Sequence, residues 1–198
     1  MRLALAVALV AALAGSDIER AQQVARGRDS ERAEFHRRYV FDLPNDTVTQ
    51  LEVITEFRRL VLTTEDHLRL GDQMFSRGLR AAETAMAPTR GLLTFRSKLR
   101  FNPLNTFAAM PEYRLALGPA ASPSTVTTAP LTEIDTQVTG EYSRPYKGRG
   151  GKMVKTLLGA TLQTDLPAVG IGQTLRPLGV LFEGREVARV PVDFARLD

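Results

Sequence analysis

The sequence predicts an α+β fold, a helical N-terminal half followed by an antiparallel β-sheet or β-sandwich that ends in a C-terminal hairpin. Three observations lead there. From Leu178 to Phe182, and again from Ala188 to Phe194, apolar residues recur at every second position, the period of a strand buried on one face. Four more stretches after Gly91 carry the same period. Before Gly91, charged and apolar residues recur instead at the three- and four-residue spacings of helix faces.

In chain order, Met1 and Arg2 precede an apolar run, Leu3–Leu13, that closes on the small-x-small end Ala12-Leu13-Ala14. A basic start, an apolar core and a small-residue end are the parts of a secretory signal peptide, and the run is too short to span a bilayer. Residues 1–14 are therefore expected to be a signal peptide. Residues 15–198 form one expected domain, helix-rich over 15–90 and β-rich over 91–198, since 198 residues suit one well-cored domain better than two.

Ser16–Arg38 mixes acids and arginines around a thin apolar stripe, Ile18, Ala21 and Ala25. It reads as a solvated helix interrupted near Gly27, and Tyr39–Leu43 as a short buried segment stopped by Pro44. Asn45-Asp46-Thr47 with Gln50 resembles a capping box, which predicts a helix over 47–70. The same stretch is rich in β-branched residues, and Leu51, Val53, Thr55 and Phe57 also fit a strand. Leu79–Met86 is an alanine-rich helix ended by Pro88.

The expected strands are Leu93–Phe101, Tyr113–Leu117, Ile134–Tyr142, Leu158–Leu162, Leu178–Phe182 and Ala188–Phe194. Ala120–Pro130, Pro145–Gly151 and Pro167–Gly172 are expected loops or turns. The last two strands should turn at Glu183-Gly184-Arg185, with Arg189 on the wet face. Pro191 has no N–H to give to a ladder, so the chain should end on an edge strand.

The absence of cysteine excludes disulfides, thiolate metal sites and thiol catalysis. A pI near 9.7 with net charge +4 suggests an acidic partner. Of 26 basic residues only four are lysines, and acids are interspersed with the rest, which points to a diffusely charged surface. The two histidines, His36 and His67, lack metal-ligand spacing, and Glu65-Asp66-His67 reads as a solvated helix end. Tyr146–Lys152 has the glycines and cations of a phosphate cradle but not the spacing of a phosphate-binding loop, so it reads as a hairpin loop. On a strand, Arg96, Lys98 and Arg100 fall on the face opposite Phe95, Leu99 and Phe101, so stacking platforms and cations do not combine for nucleic acid.

No catalytic residue, metal or cofactor is expected. The binding candidates are Arg96, Lys98, Arg100, Arg114, Lys147, Arg149 and Lys152, for an anionic partner. The expected function is an exported, non-catalytic extracytoplasmic binding or scaffold module, and the alternative is a periplasmic or secreted hydrolase with a site assembled from distant residues. Expected partners are another envelope protein or an anionic envelope surface; nucleic acid would be a partner only if the leader were not one.

Overall fold

The structure, a computed structural model, describes residues 15–71, 79–102, 104, 110–148 and 150–197. The expected leader and Arg149 lie outside the described residues. The chain forms α-helices and antiparallel sheets and divides into two compact units. One comprises the chain as far as His36, Thr55–Leu93 and Leu166–Gly172; the other comprises Arg37–Ile54, Thr94–Asp165 and the chain from Gln173 onward.

The first unit is helical. Among the described residues its helices are α1 (Gly15–Ala25), α2 (Asp29–Arg37), α3 (Glu56–Arg69) and α4 (Leu79–Met86). The thin stripe on α1 is buried as its spacing implies: Ile18 and Ala21 pack with Leu60 and Val61 of α3 and Ala82 and Met86 of α4. Arginine covers part of this small core, since the Arg20 guanidinium lies 4.5 Å over the Phe57 ring. Between α1 and α2, Glu31 reaches back to accept the Arg28 backbone N–H at 3.0 Å, filling one of the orphan donors of the α2 start. Its hydrogen bonds from the Arg28 side chain and backbone hold the Glu31 carboxyl below its usual range.

The helix expected over 47–70 is corrected. Residues Val48–Ile54 form a strand, β2, and only Glu56–Arg69 is helical. The Asn45 Oδ1 accepts the N–H groups of Thr47 at 2.9 Å and Val48 at 2.8 Å, so what resembled a capping box is an Asx turn that opens a strand. The cap lies ten residues after Asn45, where Thr55 has extended backbone and its Oγ1 accepts from the Arg58 N–H at 3.2 Å. β-Branched Val48, Thr49, Val53 and Ile54 favour the strand, and the capping threonine decides where it stops.

The second unit is built on two antiparallel sheets. In the first, β1 (Val40–Asp42), β2, β3 (Leu92–Arg100), β9 (Leu157–Pro167) and β6 (Gln137–Tyr142) lie in that order. In the second the order is β11 (Arg185–Asp193), β10 (Leu175–Phe182), β4 (Tyr113–Leu117) and β5 (Thr132–Glu133). A separate ribbon pairs β7 (Tyr146–Lys147) with β8 (Met153–Val154), where the sequence suggested a loop. The phase read for β3 holds: Phe95, Ser97, Leu99 and Phe101 are buried, while Lys98 and Arg100 are exposed. Buried Ser97 is satisfied by donating to the Gln50 carbonyl at 3.0 Å. Aromatic rings join the sheets, with Phe95 and Phe194 edge to face 6.0 Å apart at 69° and Phe101 and Tyr113 tilted at 41° and 6.0 Å apart.

The strand expected over Ile134–Tyr142 is interrupted. Its first residues, Ile134–Thr136, lie outside any strand and link β5 of one sheet to β6 of the other, and only Gln137–Tyr142 is extended in a ladder. The crossing is stitched by Thr136, whose Oγ1 accepts the Leu115 N–H at 3.0 Å and donates to the Ile134 carbonyl at 2.7 Å.

The C-terminal hairpin is formed by β10 and β11. Its turn has two residues, Glu183 with φ 49° and Gly184 with φ 75°, and Arg185 already pairs with Phe182. Positive φ at both central positions gives the twist-matched type of two-residue turn. A bulge at Val187 shifts the register between Val180 and Leu181. Beyond it Ala188, Val190 and Val192 are buried in the expected phase, and β11 is an edge strand. Pro191 lies opposite Pro177. With no N–H on either side, the two can only be a non-hydrogen-bonded pair of the ladder.

Arg189 departs from the wet-face expectation. Its guanidinium donates to the carbonyls of Val126 at 3.1 Å and Ala129 at 2.7 Å, pinning the turn-rich segment after Ser122, and its Nε donates to Glu186 at 2.8 Å. The Glu186 hydrogen bond raises the Arg189 pKa, against the opposing effect of burial. Arg189→Ala is therefore expected to cost about 1–3 kcal/mol, the range for losing charge-assisted bonds to partly buried carbonyls. A urea midpoint unchanged from wild type would contradict the clamp.

Candidate binding ribbon

Between Tyr142 and Gln163 the sequence holds Arg144, Lys147, Arg149, Lys152 and Lys155 and no Asp or Glu. The whole chain has a net charge of +4, so this one segment carries +5 and everything else sums to −1. Three of the four lysines are here. The overall basic character of the protein is a property of one stretch, and reading the charges as interspersed overlooked that acid-free run.

The segment leaves the five-stranded sheet where Tyr142 of β6 pairs with Leu157 of β9. Its base is tied by the Ser143 N–H donating to the Thr156 carbonyl at 2.8 Å, and by the Thr156 N–H donating to the Ser143 Oγ at 2.9 Å. The Tyr146 hydroxyl and Thr156 Oγ1 lie 3.0 Å apart. Beyond these ties the ribbon closes through the Gly148 N–H on the Lys152 carbonyl at 2.9 Å. Gly150 and Gly151 take φ values of 87° and 79° at its tip, conformations that side chains disfavour.

In the ribbon Tyr146 pairs with Val154, and Lys147 with Met153. Opposed residues share a face, so one face carries Tyr146, Val154 and Lys152, and the other Lys147, Met153 and Lys155. Each face thus presents both cations and apolar surface. Tyr146 is 50% exposed and Met153 65% exposed. Tyr142, Val154 and Leu158 extend this apolar surface toward the base. Among the described residues, none of Arg144, Lys147, Lys152 and Lys155 is neutralised by an ion pair.

The other sequence-derived candidates do not join this ribbon. Arg96, Lys98 and Arg100 stand on the outer face of β3, where Arg96 donates to Gln163 at 3.2 Å and lies 3.5 Å from Glu52. Arg100 lines a cavity of about 340 Å³ with Asp46, Thr47, Phe101 and Asn102. Arg114, on β4, is held between Glu112 at 3.6 Å and Glu133 at 3.3 Å. A second cavity, of about 440 Å³, is lined by Arg38, Phe41, Pro191, Asp193, Arg196 and Leu197, and there Arg196 is already paired with Asp193 at 3.0 Å.

One polar cluster has a different form from the one the sequence suggested. Glu65 is not part of a solvated helix end: both its carboxylate oxygens lie 3.2 Å from the His36 Nε2, with only 12% and 20% of the two side chains exposed. Beside the pair, Phe35 meets Phe57 edge-on at 5.9 Å, so α2 and α3 are joined by a half-buried imidazole–carboxyl hydrogen bond flanked by rings. The pairing spans 29 residues, a distance no local motif reports. Among the described residues no three His, Asp or Glu side chains form a metal-holding group, and no helix is long and apolar enough to cross a membrane.

Comparison with protein-family models, with curated proteins and with solved structures gives no match.

Proposed function

We propose that the chain is an exported, non-catalytic binding or scaffold module of the cell envelope, in which a two-sheet sandwich presents a cationic ribbon to an anionic partner. The observation that carries this reading is the acid-free run of sequence from Arg144 to Lys155, of which Arg144, Lys147, Lys152 and Lys155 are exposed on or beside a hydrogen-bonded ribbon. Unneutralised cations held together attract polyanions over a Debye length of about 8–10 Å at ordinary salt, and the attraction weakens as salt rises. Arg114 is balanced by nearby carboxylates and contributes little to such a field. Export is supported by the Leu3–Leu13 run and its Ala12-Leu13-Ala14 end.

Heparin, a soluble polyanion, supplies the test. Wild-type protein should elute from a heparin matrix at clearly higher salt than the Lys147→Glu/Lys152→Glu/Lys155→Glu variant, with unfolding midpoints alike. Equal elution would overturn the ribbon as the anion-binding element. N-terminal sequencing of protein from the native host should begin near Gly15; an intact Met1 on cytoplasmic protein would remove the envelope from the proposal.

A further inference from the structure

We infer that the partner of the ribbon is the surface of an anionic phospholipid bilayer, with Arg144, Lys147, Lys152 and Lys155 at the headgroup phosphates and Tyr146, Met153 and Val154 entering the interfacial layer. This rests on the ribbon being the anion-binding element, and it adds the class of surface. Charge alone would suit any polyanion. The exposed side chains beside the charges narrow the choice: Met153 at 65% and Val154 at 38% exposure offer aliphatic surface that a sugar-phosphate backbone does not cover. Tyrosine is at home at a headgroup boundary, where its ring is buried and its hydroxyl stays wet. Lysine stems lie along apolar surface while their ammonium groups remain in the phosphate layer.

Geometry suits shallow entry. Beyond its two regular pairs the ribbon is closed by the Gly148 N–H on the Lys152 carbonyl at 2.9 Å and the Gly151 N–H on the Gly148 carbonyl at 3.1 Å, so part of the tip backbone is already paired before it would leave water. Both faces carry lysine with an apolar neighbour, and the ribbon can enter edge-on with cations to either side. Two weak contributions, electrostatic and apolar, are what reversible membrane attachment requires.

The test is co-sedimentation of the mature protein with vesicles of phosphatidylcholine alone, or of equal parts phosphatidylcholine and phosphatidylglycerol. Binding should be confined to the anionic vesicles and should fall as salt rises. Lys147→Gln/Lys152→Gln/Lys155→Gln should lower it about a hundredfold, at roughly fivefold for each cation near a charged surface. Met153→Ser/Val154→Ser should lower vesicle affinity about tenfold, the scale of one buried aliphatic side chain, and should leave elution from heparin unchanged. Ribbon side chains are exposed, so both variants should keep the wild-type unfolding midpoint; if the double serine variant unfolds, Met153→Ser alone carries the comparison.

Vesicle binding that ignores the serine substitutions would overturn the bilayer inference, as would tighter binding to duplex DNA than to anionic vesicles. Heparin retention that depends on the lysines without any vesicle binding would overturn this inference alone. Loss of lysine dependence on both surfaces would overturn the proposed function with it.

Discussion

Phe194→Ala is expected to lower the unfolding free energy by about 3–5 kcal/mol, the usual cost of deleting a buried aromatic. Phe194 is 4% exposed and meets Phe95, itself fully buried, edge to face. It lies just past β11 in a short 3-10 turn whose start is capped by Asp193 accepting from the Ala195 N–H at 3.2 Å. The ring is therefore held by the backbone as well as by its neighbours, and the gap left by alanine would close poorly. A loss of that size is a large part of a typical domain stability of roughly 5–15 kcal/mol. Urea denaturation measures it, with Lys147→Ala on the exposed ribbon as the control expected within about 0.5 kcal/mol. Equal midpoint shifts for the two would mean that the hairpin does not bury the face assigned here.

Leu60→Ala should cost about 2–5 kcal/mol in the helical unit. Leu60 is fully buried among Ile18, Ala21, Val61, Ala82 and Met86. Two of those five neighbours are alanines, which have no side-chain length with which to fill a void, so the cavity term should be near the upper part of the range. Amide hydrogen exchange gives a readout resolved by unit: protection should fall across α1 and α3. Faster exchange confined to β2, β3 and β9, with α1 and α3 unaffected, would contradict the assignment of Leu60 to the helical core.

What could be read in the sequence was what depends on near neighbours. The phase of β3, the buried face of β11 and the edge position implied by Pro191 all follow from a two-residue period and from an amide without hydrogen, both visible within a few residues. The stretch from Val48 to Arg69 was harder, because a strand passes directly into a helix and leucines serve both periods. Thr55, followed three residues on by the N–H it caps, held the clue to the boundary. Arg189 looked like an ordinary outward residue since its partners at Val126 and Ala129 are about sixty positions away. Glu65 likewise owes its burial to His36 on another helix. The ribbon was legible in composition, as a run of cations without acids, but its pairing needed the β6 and β9 strands that launch it.

The facing prolines at 177 and 191 determine how far the second sheet can grow. In a non-hydrogen-bonded pair each residue directs its own amide position away from its partner. For Pro177 that side faces the end of β4, where its carbonyl accepts the Gly118 N–H at 2.8 Å. For Pro191 it is the open margin of the sheet. A strand from a second molecule arriving there would find a rung missing two residues before the end of β11 and, four residues earlier, a backbone bent by the extra residue at Val187. Recruitment of further chains along this margin is thus interrupted by the covalent structure of the polymer itself, whatever its concentration, so crowding at a surface need not seed a fibre from this hairpin.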